Sequence, residues 1–278
     1  MLSWPDAYMP PALAGIKHPT LQLFDSYKGK KVDILGEQSS IYICGITPYD
    51  ATHMGHAATY LTFDLVNRYL RASGKNVSFV ENITDIDDPL LERATRDNQD
   101  WRELAESQIE LFREDMTSLG VLPPNAYRGV IESMDEIIST VEEMIATGKS
   151  YILDGDIYLD LNQVDGAIEN LPLALDQALK IFEERGGDPA RVGKRHALDP
   201  LLWKARKGDD PFWEAPFGQG RPGWHIECTA IALKNLPNAS STSITLQAGG
   251  SDLIFPHHYM TALQAKALTG VEFASCYS

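Results

Sequence analysis

Alternating apolar stretches in the first third of the chain predict a βαβ unit. The run SIYIC at 40–44 is β-branched and aromatic, which is typical of a buried strand. Between 56 and 73 the apolar residues recur at helical spacing, and the pattern stops before Gly74. The run NVSFVENIT at 76–84 predicts the next strand. Because a crossover helix joins parallel neighbours, these two strands should pair in parallel.

The rest of the chain continues to alternate between helical and strand patterns. Two helices are predicted over about 99–119 and 128–148, and two more begin near residues 222 and 255. One strand is predicted over 156–161, and another begins near residue 243. A stretch rich in Gly, Pro and charge at 183–200 predicts a surface loop. We therefore expect an α/β fold with an interrupted parallel sheet and its functional loops at the carboxyl ends of strands.

Composition limits the classes of protein. With 278 residues, of which 44% are hydrophobic, the chain can bury one large core or one domain with an insertion. No apolar run approaches 18 residues, so no membrane segment is expected. The three cysteines are odd in number and far apart, which argues against a disulfide framework. The N-terminus lacks the pattern of a signal peptide, and we expect a cytoplasmic protein.

The charge balance argues against one class of partner. The formal net charge is −15, and such a chain repels a phosphate backbone unless it carries a basic patch. No pronounced cluster of Lys and Arg is present in the sequence. We therefore expect no nucleic-acid partner.

The first candidate for chemistry is the loop between the predicted strand and helix of the βαβ unit. Cys44 ends the strand, and His53 and His56 flank Gly55 where the helix begins. A helix N-terminus attracts phosphate through its free N–H groups and its dipole, and Gly55 allows a close approach. The two histidines alone are also typical of a polar helix cap, so both interpretations stay open at this point.

Four motifs in order resemble those of class I aminoacyl-tRNA synthetases, most closely the cysteinyl-tRNA synthetases and the paralogous cysteine ligases of mycothiol biosynthesis. They are CGITPYDATHMGHA (44–57), FVENITDIDDPLLERA (79–94), GWHIEC (223–228) and GGSDLIFPHH (249–258). The resemblance implies a Rossmann-like parallel core with helices on both faces and an inserted connecting segment. The implied division is a first half of the core at 1–120, the insertion at 121–200 and a second half at 201–278. The Lys-Met-Ser-Lys-Ser-like loop and C-terminal helical domain of the family have no counterpart here, so slow cysteine activation is expected.

The resemblance also implies a zinc site. The corresponding ligands are Cys44, Cys228 and His257, a combination of donors that suits Zn²⁺. Cysteinyl-tRNA synthetases add a Glu where this chain has Thr261, so one position would stay open for a substrate thiolate. A closed structural zinc with Cys276 as its fourth ligand is the alternative.

The resemblance further assigns contacts to a cysteinyl-adenylate, with ATP as substrate together with Mg²⁺. The implied contacts are Cys44, Gly45, Ile46, Thr47, Thr59, Asn82, Ile83, Thr84, Trp224, Gly250, Ser251 and Asp252. Asp252 would pair with the cysteine ammonium or, alternatively, cap the next helix. Trp224 would pack on the cysteine or, alternatively, in the core. The carboxylates of Asp85, Asp87 and Asp88 suggest a Mg²⁺ cluster, but loop orientation and helix capping are favoured.

Three departures from the tRNA synthetases favour the ligase branch. The loop reads CGITPYD, Ala58 replaces an Arg, and the ERGGDP stretch resembles a ligase motif of unknown role. That motif comprises Glu184, Arg185, Gly186, Gly187, Asp188 and Pro189. The implied reaction joins L-cysteine to the amine of glucosaminyl-inositol through the adenylate, releasing AMP and pyrophosphate. His53, His56 and Asp252 would be catalytic, and the protein a monomer. The alternatives are a cysteinyl-tRNA synthetase fragment and a non-catalytic zinc- and cysteine-binding fragment.

Overall fold

A computed structural model describes residues 1–12 and 15–278, and we number the elements of this part in chain order. The strands are β1 (Gln22–Asp25), β2 (Lys30–Asp33), β3 (Gln38–Ile43), β4 (Asn76–Ile83), β5 (Ala126–Gly129), β6 (Ser150–Leu153), β7 (Asp156–Leu159), β8 (Leu201–Ala205), β9 (Gly220–Pro222), β10 (Ile244–Ala248) and β11 (Ala274–Tyr277). The helices are α1 (Met54–Ala72), α2 (Asp88–Asp97), α3 (Trp101–Leu119), α4 (Met134–Ala146), α5 (Leu175–Glu184), α6 (Trp224–Asn235) and α7 (Tyr259–Thr269). None of the helices in these two ranges has the length and apolar character needed to cross a membrane.

The central sheet has five parallel strands in the order β11-β10-β3-β4-β5. β3 and β4 pair in parallel from Gln38 opposite Asn76 to Ile43 opposite Glu81, which confirms the predicted βαβ unit. The chain crosses from β3 to β4 on one side of β3, and β10 pairs with β3 on its other side. The connections therefore run in opposite directions on the two sides of β3. The carboxyl ends of β3 and β10 therefore border a crevice of the kind in which open α/β sheets bind ligands.

Helices cover both faces of this sheet, as the sequence predicts. Ile41 and Ile43 of β3 pack on one face in a cluster with Phe63 of α1 and Phe112 of α3. Tyr42 points the other way and joins the larger cluster that α4, α6 and α7 share. The alternation follows from the two-residue repeat of a strand, and burial of both faces explains why the SIYIC run is almost entirely apolar.

A second sheet is antiparallel and has the order β6-β7-β8-β9. Its strands extend from Ser150 to Pro222, and β9 leads through Gly223 directly into α6. This sheet is therefore continuous with the element that carries Cys228. The division of the chain at residues 120 and 200 stays a prediction.

The predicted helix over 128–148 begins too early, because its first residues belong to the central sheet. Residues 126–129 form β5, which pairs with β4, and α4 begins only at Met134. Tyr127 is buried, and the Asn125 side chain accepts a hydrogen bond from the Phe79 backbone N–H at 2.8 Å. These contacts across the sheet outweigh the local helical pattern. The elements α2, α5, β6, β8, β9 and β11 have no counterpart among the predicted helices and strands.

Glu81 of β4 is a buried carboxyl that should make stability depend on pH. Its side chain is fully buried, neither oxygen has a hydrogen-bond partner among the described residues, and burial raises its pKa well above the usual range. Because the folded pKa lies above the unfolded one, the folded state takes up a proton. The associated stability is present below the unfolded pKa and is lost as pH rises toward the folded pKa.

We therefore expect Glu81→Gln to flatten the pH dependence of stability. Relative to this isosteric variant, the natural chain should lose up to about 1.4 kcal/mol of unfolding free energy per pH unit above pH 5. Urea unfolding at pH 5 and pH 8 measures the difference. Parallel stability curves for the two proteins would show that Glu81 is ionised in the fold.

Candidate active site

The loop after β3 is held against the end of β4 by an unusually close backbone approach. The Gly45 N–H donates to Asn82 Oδ1 at 2.9 Å, and a Cβ atom on Gly45 would lie 1.6 Å from the Asn82 carbonyl oxygen. Tyr42 Oη donates to the same Asn82 Oδ1 at 3.0 Å. Only glycine fits at position 45. The two hydrogen bonds to Asn82 fix the backbone that follows Cys44.

Three buried side chains converge at this point: Cys44 after β3, Cys228 of α6 and His257 in the turn before α7. One potential ligand atom from each lies within 4.8 Å of the others. His257 Nε2 is 3.2 Å from Cys228 Sγ, while its Nδ1 is 3.0 Å from Nδ1 of His225. The predicted zinc ligands are therefore brought together, and His257 turns Nε2 toward the thiols.

The chemistry of these donors fits a zinc ion. Burial, followed by the nearby Cys228 thiol, raises the pKa of Cys44 well above its usual range. Burial likewise lowers the pKa of His257, so its imidazole is neutral. A neutral imidazole and two cysteine sulfurs form the nitrogen and sulfur set that Zn²⁺ prefers.

The alternative of a closed site with Cys276 is not supported. Cys276 lies in β11, where it pairs opposite Leu246, and it does not belong to the metal-binding group. Thr261 is fully buried in α7, and its Oγ1 has no hydrogen-bond partner in the described ranges. The group thus offers three protein ligands.

His53 and His56 lie at the start of α1 with their rings stacked at 3.9 Å between centroids. His53 is the N-cap residue, and its Nδ1 accepts a hydrogen bond from the Gly55 N–H at 3.0 Å. Burial, followed by the charge of His53, lowers the pKa of His56, which keeps that ring neutral at pH 7. The capping interpretation is therefore correct, and phosphate binding by the same pair stays a prediction.

Asp252 follows β10 in the short turn Ser251–Leu253. The N-cap position of that turn is occupied by Gly250, so the alternative of Asp252 as a helix cap is wrong. Its carboxylate is 60% exposed and lies 3.5 Å from Nη1 of Arg185. Asp252 is therefore an accessible carboxylate whose one ion-pair partner in the described ranges is weak.

Trp224 is the first residue of α6 and stacks on the His257 ring, with 4.5 Å between centroids and 29° between planes. It is only half-buried and borders the cleft, so it is not an ordinary core residue. Packing of Trp224 on a bound cysteine stays a prediction.

The three aspartates after β4 orient loops, cap a helix and pair with basic side chains. Asp87 caps α2 by accepting from the Asp88 N–H at 2.8 Å, and Asp85 accepts from the Ile131 N–H at 2.9 Å. Asp88 lies 2.9 Å from Lys204 Nζ and also pairs with Arg221. Burial opposes ionisation of Asp88, yet these two cations hold its pKa below the usual range. This confirms the favoured interpretation of the trio.

One cleft of about 1120 Å³ joins these features. All the predicted adenylate contacts border it except Ile83, which is fully buried in β4. The metal-binding group, both histidines of α1 and the residues of the ERGGDP motif up to Asp188 also border it, whereas Pro189 does not. Several further residues border the cleft without a sequence signal, namely Asp156, Tyr158, Arg191, Lys204, Lys207 and Arg221. All six belong to the second sheet or to its loops, and no local motif marks them.

Comparisons with known proteins agree with this geometry. The family model described as tRNA synthetases class I (C) catalytic domain matches residues 31–278. An L-cysteine:1D-myo-inositol 2-amino-2-deoxy-alpha-D-glucopyranoside ligase of Gordonia bronchialis is 52% identical over 274 residues, covering 97% of this chain and 65% of the relative. The ligase of the same name from Paenarthrobacter aurescens is 48% identical over 296 residues, covering 100% of this chain and 68% of the relative. The chain thus spans about two thirds of the length of these relatives.

Among solved structures, Mycobacterium tuberculosis methionyl-tRNA synthetase in complex with methionyl-adenylate matches with a TM-score of 0.61. The match covers 87% of this chain and 56% of that one at 13% identity, which shows a shared fold alone. Together with the sequence relatives, it places the five-stranded core among the class I synthetases. The chain belongs to the family of class I (C) synthetase catalytic domains, on the branch of the cysteine:glucosaminyl-inositol ligases.

Proposed function

We propose that this chain carries the site for ATP-dependent ligation of L-cysteine to the amine of glucosaminyl-inositol. The observation that carries the proposal is the convergence of Cys44, Cys228 and His257 in the same cleft as the histidine pair of α1. The metal-binding group would select the thiol of a substrate, and the N-terminus of α1 would bind the phosphate of the same substrate. The named activity of the close relatives supports the choice of acceptor.

The cleft residues supply a place for each part of a cysteinyl-adenylate. Zn²⁺, held by Cys44, Cys228 and His257, would offer an open position to the cysteine thiolate. The Asp252 carboxylate is exposed in the cleft and can pair with the cysteine ammonium. The neutral His56 ring can donate one N–H to a phosphate oxygen at the start of α1, where the helix dipole adds to the attraction.

The proposed reaction has two steps. In the first, the cysteine carboxylate attacks the α-phosphate of ATP and pyrophosphate leaves. In the second, the neutral amine of the acceptor attacks the acyl carbon, the C–N bond forms, AMP leaves with the bonding electrons of the C–O bond, and the nitrogen releases one proton to water. The protein contributes mainly by holding the reacting groups in place and stabilising charge.

A binding experiment tests the proposal on the chain as it is. Zinc-loaded protein is titrated calorimetrically with non-hydrolysable cysteinyl- and seryl-adenylate analogues. We expect the cysteinyl form to bind at least about 10²-fold more tightly, because a site built for one polar group rejects the analogue lacking it. Equal affinities would contradict selection through the metal-binding group.

The acceptor is tested separately. Preformed cysteinyl-adenylate is mixed with the zinc-loaded chain and either glucosaminyl-inositol or tRNA, and the products are quantified by mass spectrometry. We expect an amide with glucosaminyl-inositol and no cysteinyl-tRNA, because a net charge of −15 disfavours a polyanionic acceptor. Transfer to tRNA alone would assign the chain to the synthetases.

A further inference from the structure

The ERGGDP motif, Glu184–Pro189, forms a tight turn at the end of α5 that borders the active-site cleft. Gly186 has a φ of +84°, which favours glycine. A Cβ atom on Gly187 would lie 2.4 Å from the Phe182 ring, and the Gly187 N–H donates to the Phe182 carbonyl at 2.8 Å. The two glycines therefore fold the turn back onto its own helix.

Asp188, a residue of the turn, anchors it to the rest of the protein. This carboxylate accepts hydrogen bonds from Tyr158 Oη at 2.5 Å and from Lys194 Nζ at 2.9 Å. The Lys194 side chain is only 2% exposed, and its ammonium lies 5.0 Å from the centre of the Phe182 ring. An ion pair with a buried lysine and two aromatic rings thus hold the turn in place.

Arg185 is the residue that this turn presents to the cleft. Its side chain is 41% exposed, and in residues 1–12 and 15–278 its polar contact is the 3.5 Å approach to Asp252. A guanidinium has five N–H donors, so most of them are available to a ligand. Arg185 comes from the α5 side of the cleft and Asp252 from the end of β10, so their contact joins two walls of the cleft.

The charges around Arg185 favour a hydroxylated amine over a phosphate as the ligand of this turn. The turn itself carries the carboxylate of Glu184, and Asp252 lies directly opposite, whereas the charge of Asp188 is already balanced by Lys194 and Arg191. The carboxylates of Glu184 and Asp252 offset the charge of Arg185 and would repel a polyanion at this turn. Hydroxyl oxygens can still accept from the guanidinium, and an amine is attracted by the surrounding carboxylates.

We propose that the turn Glu184–Pro189 is a binding wall for the acceptor and that Arg185 hydrogen-bonds its hydroxyl groups. This inference rests on the proposed function, because it assigns the acceptor side of the same site. If the cysteine ammonium takes Asp252, the guanidinium loses its partner and becomes free for the acceptor. Acceptor binding should therefore be tighter when the cysteinyl-adenylate analogue is already bound.

The test is calorimetric titration of glucosaminyl-inositol into zinc-loaded chain saturated with the cysteinyl-adenylate analogue. Arg185→Ala should weaken acceptor binding about 10- to 100-fold, the range expected for lost hydrogen bonds to a charged group, while analogue affinity changes less than about threefold. Arg185→Lys should be intermediate, because it keeps the charge without the fork of donors. Arg206→Ala is the matched control, since Arg206 is an exposed arginine that stacks on Phe212 outside the cleft lining.

The outcomes separate the two proposals. Failure of the natural chain to bind the analogue would contradict the proposed function. Normal analogue binding without acceptor binding, or unchanged acceptor affinity in Arg185→Ala, would overturn the role of the turn. Weaker binding of pyrophosphate rather than acceptor in Arg185→Ala would overturn it too, by identifying an anion site.

Discussion

Replacing Cys44 or Cys228 by alanine should remove bound zinc and cysteine selection together. Each variant takes one thiol from a group of three buried ligands that lie within 4.8 Å of one another. Metal affinity should fall by more than about 10²-fold, since even loss of an outer-shell partner can cost that much. The preference for the cysteinyl- over the seryl-adenylate analogue should disappear in the same variants.

Cys276→Ala provides the control for this prediction. Cys276 is also a buried cysteine, but it lies in β11 outside the metal-binding group. Elemental analysis of the three variants measures zinc per chain, and calorimetry measures analogue affinity. Stoichiometric zinc in Cys44→Ala and Cys228→Ala would contradict the ligand assignment, and loss of zinc from a folded Cys276→Ala would favour the closed site with Cys276 as a ligand.

Gly45→Ala should damage the adenylate site through the backbone. The added methyl group would sit 1.6 Å from the Asn82 carbonyl oxygen, so the ends of β3 and β4 would have to separate. The hydrogen bond from Gly45 N–H to Asn82 Oδ1 would be lost in the process. We expect the unfolding free energy to fall by roughly 2–4 kcal/mol, the sum of overpacking and a lost hydrogen bond, and analogue affinity to fall more than about 10-fold.

Gly120→Ala separates steric displacement from ordinary backbone strain. Gly120 has a φ of +69°, but a Cβ atom there meets no atom within 4 Å. The Gly120→Ala substitution should lower the unfolding free energy by about 1–2 kcal/mol and leave analogue affinity unchanged. Urea unfolding and calorimetry on both variants measure the contrast. Analogue binding by Gly45→Ala equal to that of the natural chain would show that the loop can move without loss of the site.

Local pattern and motif order predicted the parts of the site that lie close together in sequence. Cys44, Gly45 and the histidine pair share one loop, and their positions relative to β3 and α1 follow from strand and helix periodicity. The ligand set was recognisable because Cys228 and His257 each lie in a distinctive motif. The zinc-type cluster then formed where parallel strands end, as the fold class requires.

The missed parts depend on contacts between distant segments. Lys204 and Arg221 lie on neighbouring antiparallel strands and reach Asp88 only because the second sheet folds over the loop after β4. Residues 126–129 became a strand because β4 offered an unpaired edge, which no local pattern records. The contact between Arg185 and Asp252 joins residues 67 apart and could not be deduced from either motif alone.

The 3.0 Å contact between the Nδ1 atoms of His225 and His257 determines where two protons must be. A close contact between two ring nitrogens requires one N–H and one lone pair. If Nε2 of His257 presents its lone pair to a metal, the His257 proton resides on Nδ1 and is donated to His225. The proton of neutral His225 must then sit on its own Nε2. Filling the metal site therefore selects a single tautomer in each of two rings, and nitrogen chemical shifts of His225, which lies outside the ligand set, should report metal occupancy.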